Sequence, residues 1–315
     1  MTATAIVGAT SPPRLTPYMS VPMFKTDSRR GVPVDQLVPG GDDYENELAL
    51  SGYIEDASAA MDSYCQQILA ATMDTQTKRV SVARTGYVNV HPRYIPVIGV
   101  TSFAIGSTPG TVAPLASLAG AIVAPDMFSI PAYAGALPIN TNQGPIQFGS
   151  PAVVPGQAWA TYTYANGFPV TTLTAPITAG ATSISVADTT GIVAGLTWLT
   201  VYSGQSRKRF LAGTVSTAPT GGLGTGPGTV ACAAGTFDKD VTTTGKWAVM
   251  VSALPPDAIQ ACVLLTRAFI KESGGANLST PTIAANGSGS GDNGAGDDIA
   301  KAYEILAKNY MAPVQ

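Results

Sequence analysis

Charged side chains are scarce in this 315-residue chain. Only 12% of its residues are Asp, Glu, Lys or Arg, while 45% are hydrophobic, and the mean hydropathy is positive at +0.20. An ordinary globular domain carries about 25% charged residues, so a free monomer would have few charges with which to cover its surface. The composition therefore predicts that other protein molecules cover much of that surface, as in a large obligate assembly.

Long apolar runs and an excess of basic charge are missing as well. A membrane-spanning helix needs about 20 apolar residues, and the apolar run 115–124 ends at Pro125 and Asp126. The sequence thus predicts no membrane span, and residues 1–5 lack the basic region of a secretory signal peptide. A net charge of −3 argues against a dedicated nucleic-acid-binding protein, which would show a basic face.

The residue types that usually carry catalysis or bind metals are few. Cys65, Cys232 and Cys262 are widely spaced and fit neither a disulfide framework nor a zinc motif. The single histidine, His91, precedes a proline and has no acidic or thiol partner nearby in the sequence, which favours a structural role. Neither a phosphate-binding loop nor a nucleophile elbow is present. The sequence predicts a protein that is not an enzyme and needs no cofactor or metal; a hydrolase would have to use His91.

The first third of the chain changes character near residue 41. Residues 1–40 contain many prolines and no sustained periodicity, which predicts an extended N-terminal arm without a core of its own. Asp42 or Asp43 can cap a helix that follows, because a short acceptor side chain satisfies the free amides of a first turn. Its apolar residues recur at helical spacing from Leu50 to Leu69, which predicts one buried stripe.

The middle of the chain predicts β structure. Alternating or β-branched runs between Gly and Pro predict strands at 78–83, 87–90, 95–105 and 159–164. Residues 106–158 lose all periodicity, which predicts a long loop with a functional or partner-bound role. Residues 170–250 hold short strands separated by glycines and predict an inserted sandwich or barrel-like module. Within it, Arg207-Lys208-Arg209 is expected at a hairpin turn.

Helical patterns return at the C-terminal end. Pro255-Pro256-Asp257 begins a helix that is apolar nearly all round. Residues 276–296 predict a flexible linker, and Asp297 or Asp298 can cap a last helix within 297–315. The apolar stripe of that helix consists of Ile299, Ala302, Tyr303, Leu306 and Tyr310. An amphipathic helix on a long tether is suited to docking on a different subunit.

Taken together, these segments predict an α+β fold. A small helical core with a few antiparallel strands would span 41–169 and 251–275, interrupted by the loop insertion 106–158. The inserted all-β module, 170–250, and the extended terminal arms complete it.

Acidic residues gather on the first long helix. No Lys or Arg occurs from Gly31 to Thr77. One interpretation is an ordinary solvated face, and the other is a channel wall that repels phosphate, so that DNA slides past without binding. The residues concerned are Asp42, Asp43, Glu45, Glu47, Glu55, Asp56 and Asp62.

Five stretches resemble a known family when taken in order. They are YIEDA at 53–57, YIPVIGVTSF at 94–103, YTYANGFP at 162–169 together with LPPDAIQAC at 254–262, and AYEIL at 302–306. Their layout resembles that of the head–tail connector adaptors of tailed bacteriophages. Members of that family are shorter, and here 106–158 and 170–250 interrupt the layout.

The resemblance implies a structural virion protein of the neck, assembled in the host cytoplasm. It implies a ring of identical subunits, commonly dodecameric, between the portal protein and a stopper or tail-completion protein. DNA would pass through the ring without sequence-specific binding, and the stripe of the last helix would dock on the portal. The alternative is another phage tail or decoration protein whose β module binds a host surface or a glycan.

Overall fold

In the described part of the chain, two helices come first, thirteen strands follow, and two helices come last. The computed structural model describes residues 16–27, 31–83, 87–106, 108–115, 117–131, 158–203, 206–216, 225–243, 247–273 and 294–312. Within these ranges the chain forms four helices and thirteen strands, which confirms the predicted α+β class. They build three regions, each around its own hydrophobic cluster: a helical layer, a curled antiparallel sheet and a smaller β module.

The helices are α1, Val21–Thr26; α2, Asp43–Cys65; α3, Pro256–Glu272; and α4, Ala295–Asn309. Helix α2 begins where the sequence predicts, because Asp42 and Glu45 form a capping box. The Asp42 carboxylate accepts a hydrogen bond from the Glu45 amide at 2.8 Å, and the Glu45 carboxylate accepts one from the Asp42 amide at 3.1 Å. Both amides would otherwise be unpaired at the helix start. In the described part of the chain, no helix is long and apolar enough to cross a membrane.

Helices α2, α3 and α4 form the helical layer. The predicted apolar stripe of α2, including Leu50, Ile54 and Met61, is buried in the cluster that these helices share. The Ser58 hydroxyl on α2 lies 3.8 Å from the Cys262 thiol on α3, which marks the sides on which the two helices meet. Full burial of an aliphatic side chain contributes about 1.5–3 kcal/mol, so this stripe is a principal source of the layer's stability.

The N-terminal segment departs from the extended arm predicted over residues 1–40. Its described residues fold against the chain's own helical layer. Tyr18 and Phe24 are fully buried there, and the Tyr18 amide donates to the Ser58 hydroxyl at 3.2 Å. The prolines hide any local period, and the burial depends on contacts with α2, which lies far along the sequence. Residues 1–15 lie outside the described residues.

Seven strands build the curled sheet: β1, Thr72–Val82; β2, Tyr87–Val90; β3, Val97–Gly106; β4, Ala113–Pro114; β5, Ile122–Val123; β6, Phe128–Pro131; and β7, Ala158–Asn166. Their order is β4-β3-β7-β1-β2-β6-β5, and all neighbours are antiparallel. The sheet curls because the Val97 amide at the start of β3 donates at 2.8 Å to the carbonyl of Pro125, just beyond β5. Phe103, Phe128 and Tyr162 pack their rings in its interior.

The segment 106–158, predicted as one long loop, contributes to this sheet. It supplies β4, β5 and β6, while 132–157 lies outside the described residues. Strands of two to four residues are too short for a period of two to stand out in a sequence.

The β module contains β8, Val170–Thr172; β9, Ser183–Val186; β10, Trp198–Ser203; β11, Ser206–Leu211; β12, Gly228–Ala231; and β13, Met250–Ser252. One sheet has the order β11-β10-β13-β8, and β12 pairs with β9. Leu199, Val201 and Phe210 belong to its own buried cluster. Strands β8 and β13, the two ends of the module, pair with each other through Val170 and Ser252.

Several boundaries differ from the sequence-based expectation. Strand β1 begins at Thr72, six residues before the predicted strand, and α2 ends at Cys65, before the predicted stripe reaches Leu69. Arg207-Lys208-Arg209 lies within β11 and not at a turn, since Arg207 pairs with Tyr202 of β10. An edge strand tolerates such a run of charges because one side of it meets no other strand. Helix α4 begins at Ala295 after Gly294, so neither predicted aspartate caps it. The predicted linker 276–296 is described only from Gly294 onward.

Candidate functional site

Groups suited to catalysis do not converge in the described ranges. No three His, Cys, Asp or Glu side chains there come together as a metal site. All three cysteines are free and buried, and burial together with nearby Asp62 raises the pKa of the Cys65 thiol to about 12. A thiol that stays protonated is a poor nucleophile. The side chain of His91 is exposed, and its carbonyl accepts a hydrogen bond from Lys78 at 3.1 Å.

Among the acidic residues predicted to face passing DNA, Asp42, Glu45, Glu47 and Asp62 accept hydrogen bonds within the chain. Asp42 and Glu45 form the capping box of α2. Glu47 accepts hydrogen bonds from the Lys25 ammonium at 3.0 Å and from the Trp247 indole at 2.8 Å. These three carboxylates thus accept hydrogen bonds at the N-terminal half of α2.

Asp62 is the fourth, and it is bonded to the buried Tyr18. The Tyr18 hydroxyl donates to the Asp62 carboxylate and accepts from the amides of Leu69 at 2.8 Å and Ala70 at 3.2 Å. Burial, and then the charge of Asp62, raises the pKa of Tyr18 well above its ordinary value. The hydrogen bond to Asp62 thus holds the N-terminal segment against the C-terminal end of α2.

The other three acids, Asp43, Glu55 and Asp56, are exposed. Glu55 and Asp56 share the outward side of α2 with Tyr44, which is 49% exposed, and Leu48, which is 55% exposed. We call Tyr44, Leu48, Glu55 and Asp56 the α2 outer face. Large exposed apolar side chains beside acids are more typical of a protein interface than of a water-filled channel wall. The channel interpretation stays a prediction, now confined to these acids.

The stripe of α4 predicted to dock on the portal lies against the chain's own helices. Ala302 and Leu306 are fully buried, and Ile299 packs on the same cluster. The ring of Tyr303 stacks on Tyr64 of α2 with centroids 4.2 Å apart. Because these side chains are occupied within the chain, we correct the role of the stripe from contact with another subunit to closure of the chain's own core.

The residues at the end of α4 fasten it in place. The Tyr310 hydroxyl donates to the Asp257 carboxylate at the start of α3. The Gln67 side chain donates to the Tyr310 carbonyl at 2.8 Å, and the Ala312 amide donates to the Cys65 carbonyl at 3.0 Å. Contacts at both α2 and α3 leave α4 a fixed member of the layer.

Asp298 joins α4 to α3 through charge. Its carboxylate accepts hydrogen bonds from the Arg267 guanidinium and, at 2.9 Å, from the Lys271 ammonium. Burial alone would raise the pKa of Asp298, but the bonds and charges of these two cations outweigh it and hold that pKa below its ordinary value. Its side chain is only 4% exposed, so the carboxylate depends on its two partners.

A groove of about 600 Å³ lies between α3 and α4. Its lining includes three apolar side chains, two lysines and one glutamate: Val263, Leu264, Ile305, Lys301, Lys308 and Glu304. We call it the α3/α4 groove. Successive residues of a helix are about 100° apart, so Leu264 stands about 200° from Cys262, the residue that faces α2. Lys301 is likewise about 200° from Tyr303, the residue of α4 that stacks on α2. The groove therefore opens on the side of α3 and α4 that faces away from α2.

The β module carries a third exposed surface. Trp198, 50% exposed, pairs across β10 and β11 with the partly exposed Leu211, and Leu196 beside them is 75% exposed. The Arg209 guanidinium lies 5.0 Å from the centre of the Trp198 ring. We call Leu196, Trp198, Leu211 and Arg209 the β10–β11 patch.

These surfaces were not predicted from the sequence, although signals for two of them exist. Tyr44 and Leu48 are four residues apart and lie off the buried stripe of α2. Lys301, Ile305 and Lys308 follow the same spacing on the side of α4 opposite its stripe. An apolar pair on the outward side of an amphipathic helix indicates a second interface. No protein-family model, curated protein or solved structure matches this chain.

Proposed function

We propose that this chain is a structural subunit of a tailed-bacteriophage neck, a head–tail connector adaptor that assembles into a ring beneath the portal. One observation carries the proposal beyond the resemblance in the sequence. Large apolar side chains remain exposed in three separate parts of the chain: Tyr44 and Leu48 on α2, Ile122 and Val123 on β5, and Leu196, Trp198 and Leu211 in the β module.

This distribution suits an assembly subunit. A small-molecule site is a concave pocket with a few convergent polar groups. A ring subunit instead needs one surface for each of its two neighbours and further surfaces for the proteins above and below it. The low content of charged residues, 12%, points the same way, because interfaces between subunits exclude charge from their centres.

Passage of DNA without specific binding is part of the proposal. The most basic run, on β11, is engaged within the chain: Arg207 lies 3.8 Å from Asp27, Lys208 lies 2.6 Å from Asp238, and Arg209 lies over Trp198. Phosphate contacts supply most nonspecific affinity for DNA. With a net charge of −3 and these cations engaged, the chain has little with which to hold a duplex.

The decisive experiment mixes the full chain with the portal protein of the same virus and follows assembly by native mass spectrometry and negative-stain imaging. We expect closed rings with a central channel, bound to one end of the portal. The chain without portal separates spontaneous ring formation from templated assembly. A chain that stays monomeric beside the portal and does not bind it contradicts the proposal.

A second candidate function is recognition of a glycan on a host surface by the β module, and the β10–β11 patch favours it. The half-exposed Trp198 offers an apolar ring, and the Arg209 guanidinium lies over this ring at 5.0 Å from its centre. The full chain on a glycan array tests this directly. Trp198→Ala should abolish any signal, while Tyr44→Ala, which removes an equally exposed aromatic side chain on α2, should leave it unchanged.

A further inference from the structure

We infer that the α2 outer face of one subunit docks into the α3/α4 groove of the next copy, head to tail around the ring. The inference rests on the proposed function, because it takes the chain to assemble with copies of itself. It specifies which two surfaces of neighbouring subunits are in contact and that the subunits are arranged head to tail.

The first argument is position. The α2 outer face and the α3/α4 groove lie on opposite sides of the helical layer, since each points away from the sides on which α2 meets α3 and α4. Two different surfaces on opposite sides of a subunit form a heterologous contact, which repeats from copy to copy and closes into a ring when the rotation allows. A two-fold contact of either surface with itself would leave the other uncovered.

The second argument is charge. Helix α2 carries six acidic residues and no basic residue, so two α2 outer faces repel each other. On the groove, Lys301 and Lys308 have no ion-pair partner among the described residues, while Arg267 is already bound to Asp298. The one acid of the groove, Glu304, lies between the two lysines on the same side of α4. Charges at the rim of an interface direct orientation and partner choice more than affinity.

The third argument is shape. Leu48 and Tyr44 project from α2 as apolar anchors, and the partly exposed Ile305 offers them an apolar contact in the groove, beneath which Val263 and Leu264 are buried in the chain's own core. A helix that lays such a face in a groove is a common mode of recognition.

Gly52 lies one turn beyond Leu48 on the same side of α2. Glycine disfavours a helix interior, and a Cβ at Gly52 would meet nothing within 4 Å in this chain. Because glycine has no Cβ, Gly52 allows the backbone of a second subunit to approach α2 closely. Such an approach explains a glycine at this position.

The experiment reverses the charge of each surface separately in the full chain. The groove variant is Lys301→Glu/Lys308→Glu, and the α2 variant is Leu48→Lys/Asp56→Lys. In either variant alone, both surfaces carry the same sign, so we expect self-association to weaken at least about tenfold by sedimentation or native mass spectrometry, with or without portal. The control Lys208→Glu/Lys239→Glu shifts the net charge as far as the groove variant does but lies in the β module, and it should assemble like the wild type.

Mixing the two variants gives the sharpest result. Each groove then meets an α2 outer face of opposite sign, so the mixture should assemble again with the two variants alternating. Thermal melting shows whether each variant folds, and the milder pair Lys308→Ala and Asp56→Ala replaces any that does not. With the milder pair, the expected result is weaker association in each variant.

Three outcomes overturn the inference: a wild type that does not self-associate, variants that assemble like the wild type, or folded variants whose mixture stays apart. In the last two cases, rings that still bind the portal would keep the connector function. The α2 outer face would then belong to a contact with the portal or the stopper protein. Loss of portal binding by the wild type itself would instead remove the proposed function.

Discussion

Asp298 is a buried carboxylate held between two cations at the junction of α3 and α4. Asp298→Asn would leave Arg267 and Lys271 without their counter-charge. Because both cations still reach water, we expect a loss of about 2 kcal/mol in the free energy of unfolding, below the usual cost of breaking a buried ion pair. Urea unfolding measures it. The neighbouring exposed Asp297 gives the control Asp297→Asn, which should change stability by less than about 0.5 kcal/mol.

The same residue predicts a dependence on pH. The pKa of Asp298 is lowered in the fold, so the folded state favours its charged form. The resulting stability is complete above the pKa of an unfolded aspartate, about 3.9, and is lost as the pH falls through the lower pKa of the folded state. The difference between wild type and Asp298→Asn should therefore shrink in acid. A difference that stays constant down to about pH 2 would contradict the ion pair.

Gly167 follows β7 at the Asn-Gly turn and has no room for a side chain. Its φ is +87°, and a Cβ there would lie 2.5 Å from the Ala70 carbonyl oxygen. Gly167→Ala combines backbone strain with this clash, and we expect a loss of about 3 kcal/mol in unfolding free energy. Gly180→Ala tests strain alone, because φ is +79° but nothing lies within 4 Å of the new Cβ. That control should lose about 1 kcal/mol, and equal losses would show that the contact with Ala70 is unimportant.

Residue-level features were predictable where the partners are close in sequence. The Asp42 cap depends on Glu45, three residues away, and it appears in the fold. The partners of Asp298 lie 27 and 31 residues earlier, so its sequence position suggested only a helix cap. A local sequence pattern does not show which residues distant in the sequence will form a pair.

At the scale of elements, substitutions in α4 test whether this helix has a structural role or a docking role. Leu306 is fully buried between α4 and the other helices, and Leu306→Ala should lower the free energy of unfolding by about 3 kcal/mol. Leu196→Ala, at a leucine that is 75% exposed, should change it by less than about 0.5 kcal/mol. Chemical denaturation measures both. If Leu306→Ala kept full stability but lost portal binding, the original prediction of a docking helix would return.

Long periodic elements were predicted well and short ones were not. Helices α2 and α3 and strand β7 span many residues, so their periods stand out, whereas β1, Thr72–Val82, was predicted only over its second half. Helix α1 has six residues and β4 and β5 have two each. Such elements exist because a larger neighbour pairs with them or covers them. The interaction surfaces were not predicted for a related reason. Which side chains are exposed depends on how the helices and strands pack, and the sequence pattern does not show that packing.

For the whole molecule, buried tyrosines predict instability in alkali. Burial raises the pKa of Tyr18, Tyr162, Tyr164 and Tyr310 above the ordinary value. In the unfolded chain these hydroxyls ionise near pH 10, so the folded state binds more protons there and its stability falls as the pH rises beyond that value. Tyrosinate absorbance should increase for these residues only when circular dichroism shows unfolding. Complete ionisation of all 12 tyrosines in a native chain would contradict their burial.

The pairing of β8 with β13 has a consequence for how such a chain could be altered. The backbone enters the module from β7 at Val170 and returns towards α3 at Ser252 on an adjacent strand, about 5 Å away. The two attachment points stay side by side, so the outer part of the module can vary in length without moving α3. Tyr202 and Met250 are constrained more tightly, because they belong to the cluster of the helices, and Trp247 is hydrogen-bonded to Glu47 of α2.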